Sequence, residues 1–358
     1  MTPPDIIEVV GGALVVTLTL YDLFDSIVLP RPSVGRISPS LALQRRLWLA
    51  WRWLGTRPSS VQRRETVLAV FAPLAVLVFL VLRGGALIVG YALIYHGIRG
   101  EFHPQPHTFG TSVYFSAAAL LALGAFDLPA STVPRILVSF EAATGLGLVA
   151  VVIAFLFSVV TSFQRRETAV VTLDALAGAP PSGVQLLENC AHHRMPEQMD
   201  RTFEEWRQWS AEVLESHLAY PVLTYFRSSH DNEAWVNSFG AVMDAAVLVL
   251  TTVEGCGPGP AQLMFKVGGH LVEDMSWRRS FQPDGRPWLD RGDFDEACRR
   301  LGEVGYRLRD GDEAWREFAR HRSSYASPLI ELARHLAIAP APWIGDRSYL
   351  PHVGRTAR

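Results

Sequence analysis

Apolar positions run almost unbroken through three stretches of the chain, at about 6–29, 66–97 and 133–163. At about 1.5 Å of rise per residue, each covers the roughly 30 Å hydrocarbon core of a bilayer, so each predicts a transmembrane helix. The second is longer than a span requires, which predicts a tilt, a protrusion or a bend near Pro73. Pro134 opens the third where a first helical turn tolerates proline. A fourth apolar stretch, 108–123 (TFGTSVYFSAAALLAL), lies between the second and third. Its apolar part is too short to cross, and Thr108 is placed to cap it, so it predicts a re-entrant or buried helix. The residues that follow, 124–129 (GAFDLP), have to return to the side from which the short helix entered. Non-helical backbone survives at membrane depth only inside protein or around water. Two spans, a half-helix and an irregular return together predict a pore loop.

Basic residues orient these segments. The stretch 31–65 carries eight arginines and a single acid, Glu65; Arg165 and Arg166 follow the third span, while 98–132 holds Arg99 as its one Arg or Lys. Arginine-rich loops stay in the cytoplasm, which predicts an outside N-terminus and a cytoplasmic C-terminal half. Within the first loop, 41–54 (LALQRRLWLAWRWL) alternates arginines with Trp48, Trp51 and Trp53. That pattern predicts an amphipathic helix at the anionic inner leaflet, the alternative being a solvated linker.

Charges inside the spans need partners. Arg83 sits near the middle of the second stretch, where an unpaired charge costs at least ~2.5–3.5 kcal/mol; Glu141 and Glu8 are the candidate counter-ions. Asp22 and Asp25 share a helical face at the end of the first span and are expected to pair with loop arginines. A voltage sensor needs several regularly spaced arginines, and Arg83 stands alone in its span. Gly145 and Gly147 in the third span serve either as a hinge or as close-packing positions.

From about 164 to 358 the pattern changes to helical runs of mixed polarity, at 203–218, 234–252, 294–308, 313–325 and 328–337, with a breaker loop at 255–260 (GCGPGP). The 234–252 run is apolar enough for a core helix, yet carries Asn237 and Asp244. Charged residues make up 19% of the whole chain, below the ~25% of soluble domains. Three scattered cysteines exclude a disulfide framework by their odd number and spacing. Cys190 with His192 and His193 supplies too few ligands for a metal site, and a solvated loop is the simpler expectation. His217 and His230 are expected at the surface or in the core, and 231–233 (DNE) as a helix cap. No phosphate-cradling glycine motif occurs in this half, and its arginines alternate with acids instead of forming a nucleic-acid face. No enzyme, metal or cofactor is expected.

The run Tyr114 to Asp127, YFSAAALLALGAFD, resembles the pore helix and filter of bacterial two-transmembrane potassium-channel proteins (the ion-transport-2, two-pore-domain-like group), where the motif reads roughly YFSxxTxTTxGYGD. The later run 209–250, with LTYFRSSHDNEAW, is similar to the helical tail of uncharacterised bacterial potassium-channel-like proteins. The resemblance implies an all-α protein of the bacterial inner membrane: three transmembrane helices with a re-entrant pore helix and filter loop, followed by a mostly helical cytoplasmic domain. It also implies a homotetrameric pore in the lipid bilayer, K⁺ or another monovalent cation as the permeant ion, and Ala122, Leu123, Gly124, Ala125, Phe126 and Asp127 as the filter. The departures lie in the filter itself. Ala122 replaces the threonine whose hydroxyl helps to strip water from K⁺. Ala125 replaces the aromatic, and Phe126 the second glycine, where a bulky residue strains the left-handed backbone by ~1–3 kcal/mol. The expectation is a cation pore with an altered filter, the alternative a non-conducting scaffold or sensor whose cytoplasmic half binds a partner of unknown kind.

Overall fold

The computed structural model of the chain describes residues 3–28, 39–58, 60–102, 105–123, 131–228, 234–277, 281 and 283–345. It is mostly helical and divides into two units, Met1–Thr161 with Leu218–Leu223, and Ser162–His217 with Thr224–Arg358.

The first unit begins with α1 (Pro3–Leu23), extended by a π-helical turn at Phe24–Val28. Then come α2 (Pro39–Gly55), α3 (Val61–Gly97), α4 (Phe109–Leu120) and α5 (Thr132–Ala177), the last continuing into the second unit. The three long apolar stretches are helices with the length and composition to cross a membrane. Ser60 starts α3 by accepting from the Arg63 amide, and the helix runs uninterrupted through the exposed Pro73. α5 continues past the expected end near 163, because charge stops a span and not a helix. The residues QRRETAVVTLDALA still favour helix, and the stop comes at Gly178, whose φ of +79° only glycine adopts freely.

α1 lies against α3 at backbone distance. A Cβ on Gly12 would meet the Gly90 carbonyl oxygen at 2.4 Å, and one on Gly97 the Asp5 carbonyl oxygen at 2.7 Å. Small residues replace a hydrophobic driving force between helices in lipid by allowing this approach. Leu87, Tyr91 and Tyr95 of α3 form the core with Val16, Leu23, Phe102 and Leu120. Tyr95 stands edge-on to Phe102 and Phe115, with ring centroids 5.5 and 5.2 Å away. In α2, Trp48 is buried edge-on to Phe71 at 4.9 Å, and the Trp51 indole N–H donates to the Val67 carbonyl at 2.9 Å. Two of the three tryptophans expected at a lipid surface are therefore spent on α3. Trp53 remains exposed, with the Arg57 guanidinium 3.5 Å above its ring.

The second unit is a bundle of α6 (Gly183–His192), α7 (Pro196–Ala219), α8 (Trp235–Thr251), α9 (Gly259–Trp277), α10 (Arg291–Glu303), α11 (Gly311–Arg322) and α12 (Ala326–His335). Val253–Glu254 and Arg307–Leu308 pair as a short antiparallel ribbon. α8 is the central helix, packed by α6, α9, α11 and α12 and buried along nearly its whole length. Its one carboxylate, Asp244, accepts from the Arg322 Nε at 2.8 Å and the Tyr325 hydroxyl at 2.6 Å. A second buried pair joins Arg300 to Glu188, the Nε and Nη2 of one guanidinium edge donating to the two carboxylate oxygens, and the Arg300 Nη1 donates to the Gly345 carbonyl at 2.7 Å. Sequence patterning located α7, α8, α10, α11 and α12 but not α6 or α9; the run expected as helix to 308 ends with α10 at Glu303, and 307–308 are strand.

Candidate functional site

The candidate site is built around α4 in the first unit. Thr108 caps its start, accepting from the Thr111 amide at 3.3 Å, as the sequence predicts. Its far end closes with a two-bond cap. The Ala122 amide donates to the Ala119 carbonyl at 3.0 Å and the Leu123 amide to the Ala118 carbonyl at 2.9 Å. This is the Schellman arrangement, which places its residue after the cap in left-handed backbone. That residue is Ala122, with φ of 53°. Glycine is the usual occupant, so Ala122 holds the turn at a cost of about 1 kcal/mol.

Two contacts moor α4 to its neighbours. The Ser116 hydroxyl lies 2.6 Å from Glu141 Oε1 on α5 and 2.9 Å from the Ile88 carbonyl of α3, with one proton to donate between them. The Tyr95 hydroxyl of α3 donates to the other Glu141 oxygen. Glu141 is fully buried, and it ties α3, α4 and α5 together through one carboxyl group. The second contact uses Gly145, where a Cβ would lie only 1.8 Å from the Leu120 carbonyl oxygen. Gly145 is thus a close-packing position for the end of α4, while a Cβ on Gly147 would meet nothing within 4 Å.

The partner expected for Arg83 is different. Arg83 donates to Asp22 at 2.9 Å and to the Ser26 hydroxyl at 2.7 Å, so the pairing with Glu141 or Glu8 does not form. The reason is depth: in the antiparallel packing of α1 on α3, Gly12 meets Gly90, which brings the last turn of α1 level with Arg83. Asp22, expected to pair with loop arginines, thus takes a span residue as a partner. Glu8 instead accepts from the His96 ring at 2.7 Å, beside an ion pair of Arg99 with Asp5 at 2.8 Å. His96 also stands edge-on to Phe109, the first residue of α4, at 6.0 Å.

Of the six expected filter residues, Ala122 and Leu123 are placed as above; Gly124, Ala125, Phe126 and Asp127 lie outside the described residues, as do His230 and 231–233. α5 has an outward face the sequence reading did not resolve. Only 6% of its most apolar window is buried, against 28% for α3 and 17% for α1. Phe140, Ala143, Gly147, Ala150, Ala154 and Phe157 recur every three or four residues along that exposed face. The signal was present in the sequence as the small residues Ala143, Gly147, Ala150 and Ala154 at three- and four-residue spacing, hidden by the uniform hydrophobicity around them.

In the second unit, Cys190 is buried in α6, and burial pushes its thiol up to about 11. His192 ends the same helix and His193 caps it; no group of three or more metal-ligating side chains assembles among the described residues. His217 is buried against Trp235, with ring centroids 5.6 Å apart. No family model, no curated protein and no solved structure matches the chain.

Proposed function

We propose that the chain is one subunit of a homotetrameric cation pore of the bacterial inner membrane, similar to potassium-channel proteins but with an altered filter. In this reading α4 is the re-entrant pore helix, 122–127 line the narrow passage, and the outward row of α5 lines the cavity below. The second unit is cytoplasmic, on the same side as the arginine-rich loop. The observation that carries the reading is the mooring of α4. A twelve-residue apolar helix, too short to span, is held by α3 through the Ile88 carbonyl and by α5 through Glu141 and Gly145. A fixed end of α4 at Ala122 and Leu123 supports the pore-loop reading. The low burial of α5 supports assembly, since a single pore segment per chain makes a closed passage only with several copies around an axis. Four copies of Asp127 then form a carboxylate ring that raises the local cation concentration.

Reconstitution into planar bilayers tests this. Cation-selective unitary currents are expected, with conductance lowered in Asp127→Asn by removal of the ring charge. Silence at all voltages and cation gradients favours the second reading, a non-conducting scaffold or sensor. One observation supports that alternative: the cap at Ala122 already occupies the Ala118 and Ala119 carbonyls, which lessens the negative pole α4 offers to an ion.

A further inference from the structure

One face of α2 is seated on α3 through Trp48, Trp51 and Gly55. Two others are open. Leu43, Leu47, Ala50 and Leu54, spaced four, three and four residues apart, make an apolar row whose leucines are 37–50% exposed. Beside it runs a second row of Arg46, Trp53 and, just past the helix end, Arg57, seven and four residues apart. Trp53 is 60% exposed under the Arg57 guanidinium, and neither arginine has a carboxylate partner among the described residues.

The place of α2 along α3 says what covers these rows. α1 covers α3 from Gly97, beside Asp5, to Arg83, paired with Asp22. α2 takes over nearer the start of α3, with Trp48 on Phe71 and Trp51 on Val67. A span of about 20 residues counted back from Gly97 ends within two turns of Phe71. α2 therefore lies at the boundary of the hydrocarbon, on the side that the arginine-rich loop assigns to the cytoplasm. Leucines edged by arginines and one tryptophan suit that depth. Apolar side chains meet acyl carbons there, guanidiniums meet phosphates, and an indole lies between. The charge selects the lipid: 31–65 holds eight arginines against Glu65 alone, which favours anionic headgroups over neutral ones.

We infer that α2 binds anionic phospholipid of the inner leaflet, with Leu43, Leu47 and Leu54 against the acyl chains and Arg46 and Arg57 on the phosphate groups. The row of leucines takes the part that the sequence gives to the tryptophans, because Trp48 and Trp51 hold α2 to α3. This surface rests on the spanning helices and not on the filter, so it stands whether or not the protein conducts.

Brominated phosphatidylglycerol and phosphatidylcholine, titrated into the full-length protein in neutral detergent, test it by tryptophan quenching. Phosphatidylglycerol is expected to bind more tightly, and Trp53→Phe to remove a saturable part of its quenching. Arg46→Gln and Arg57→Gln are each expected to weaken phosphatidylglycerol binding about fivefold and to leave phosphatidylcholine unchanged. Leu47→Asn is expected to weaken both. All four side chains are exposed, so each variant is expected to melt with the wild type in lipid-free detergent. A variant that melts earlier there has lost a contact within the protein, which overturns the assignment. Equal affinity for the two lipids, or quenching that Trp53→Phe leaves unchanged, also overturns it. So does displacement of phosphatidylglycerol by equimolar glycerol phosphate, which reveals an anion site with no part for the acyl chains.

Discussion

Glu141 is the residue on which the three-helix arrangement of the first unit turns. It accepts from Tyr95 and Ser116, so truncation strands the Tyr95 hydroxyl and opens a cavity. Glu141→Ala is expected to lower stability in detergent by about 2–4 kcal/mol. Ser116→Ala, which leaves Tyr95 its acceptor, is expected to cost about 1 kcal/mol. Equal effects in denaturant titrations contradict a shared node at Glu141. At Ala122 the sign reverses. Its φ of 53° is one glycine adopts without strain, so Ala122→Gly is expected to raise stability by about 0.5–1 kcal/mol. A loss of stability means that the turn is not the one described.

Among the elements, α1 and α3 combine close glycine contacts with one ion pair, Arg83 to Asp22. Removing one partner leaves a charge in an apolar setting. Asp22→Leu is expected to destabilise by about 2–4 kcal/mol, and adding Arg83→Met to recover most of that loss. Thermal melts of the two variants decide it, additive losses being the contrary outcome. This pair also marks the limit of sequence reasoning. Hydropathy located the three long helices, because lipid solvates one kind of surface, and Thr108 was legible as a cap. The partner of Arg83 was not legible, because pairing depends on the relative shift of two helices, which glycine contacts such as Gly12 with Gly90 set and no periodicity records. The length of α5 was misread for a related reason: apolarity ends near 163, whereas helix propensity persists to Gly178.

At the scale of the molecule, the two units have different chemistry. The first buries few charges and leaves its third spanning helix largely uncovered; the second surrounds α8 with satisfied buried pairs, Arg322 with Asp244 and Arg300 with Glu188. The proposed function depends on the first unit meeting copies of itself, which neither hydropathy nor one chain's contacts can supply. An electron cryo-microscopy map of the protein in lipid nanodiscs with K⁺ tests that most directly. The account predicts four copies around an axis, with the carbonyl oxygens of 122–127 turned towards it and density for ions between them. A monomer, or a ring in which those six residues pack away from any central passage, contradicts it.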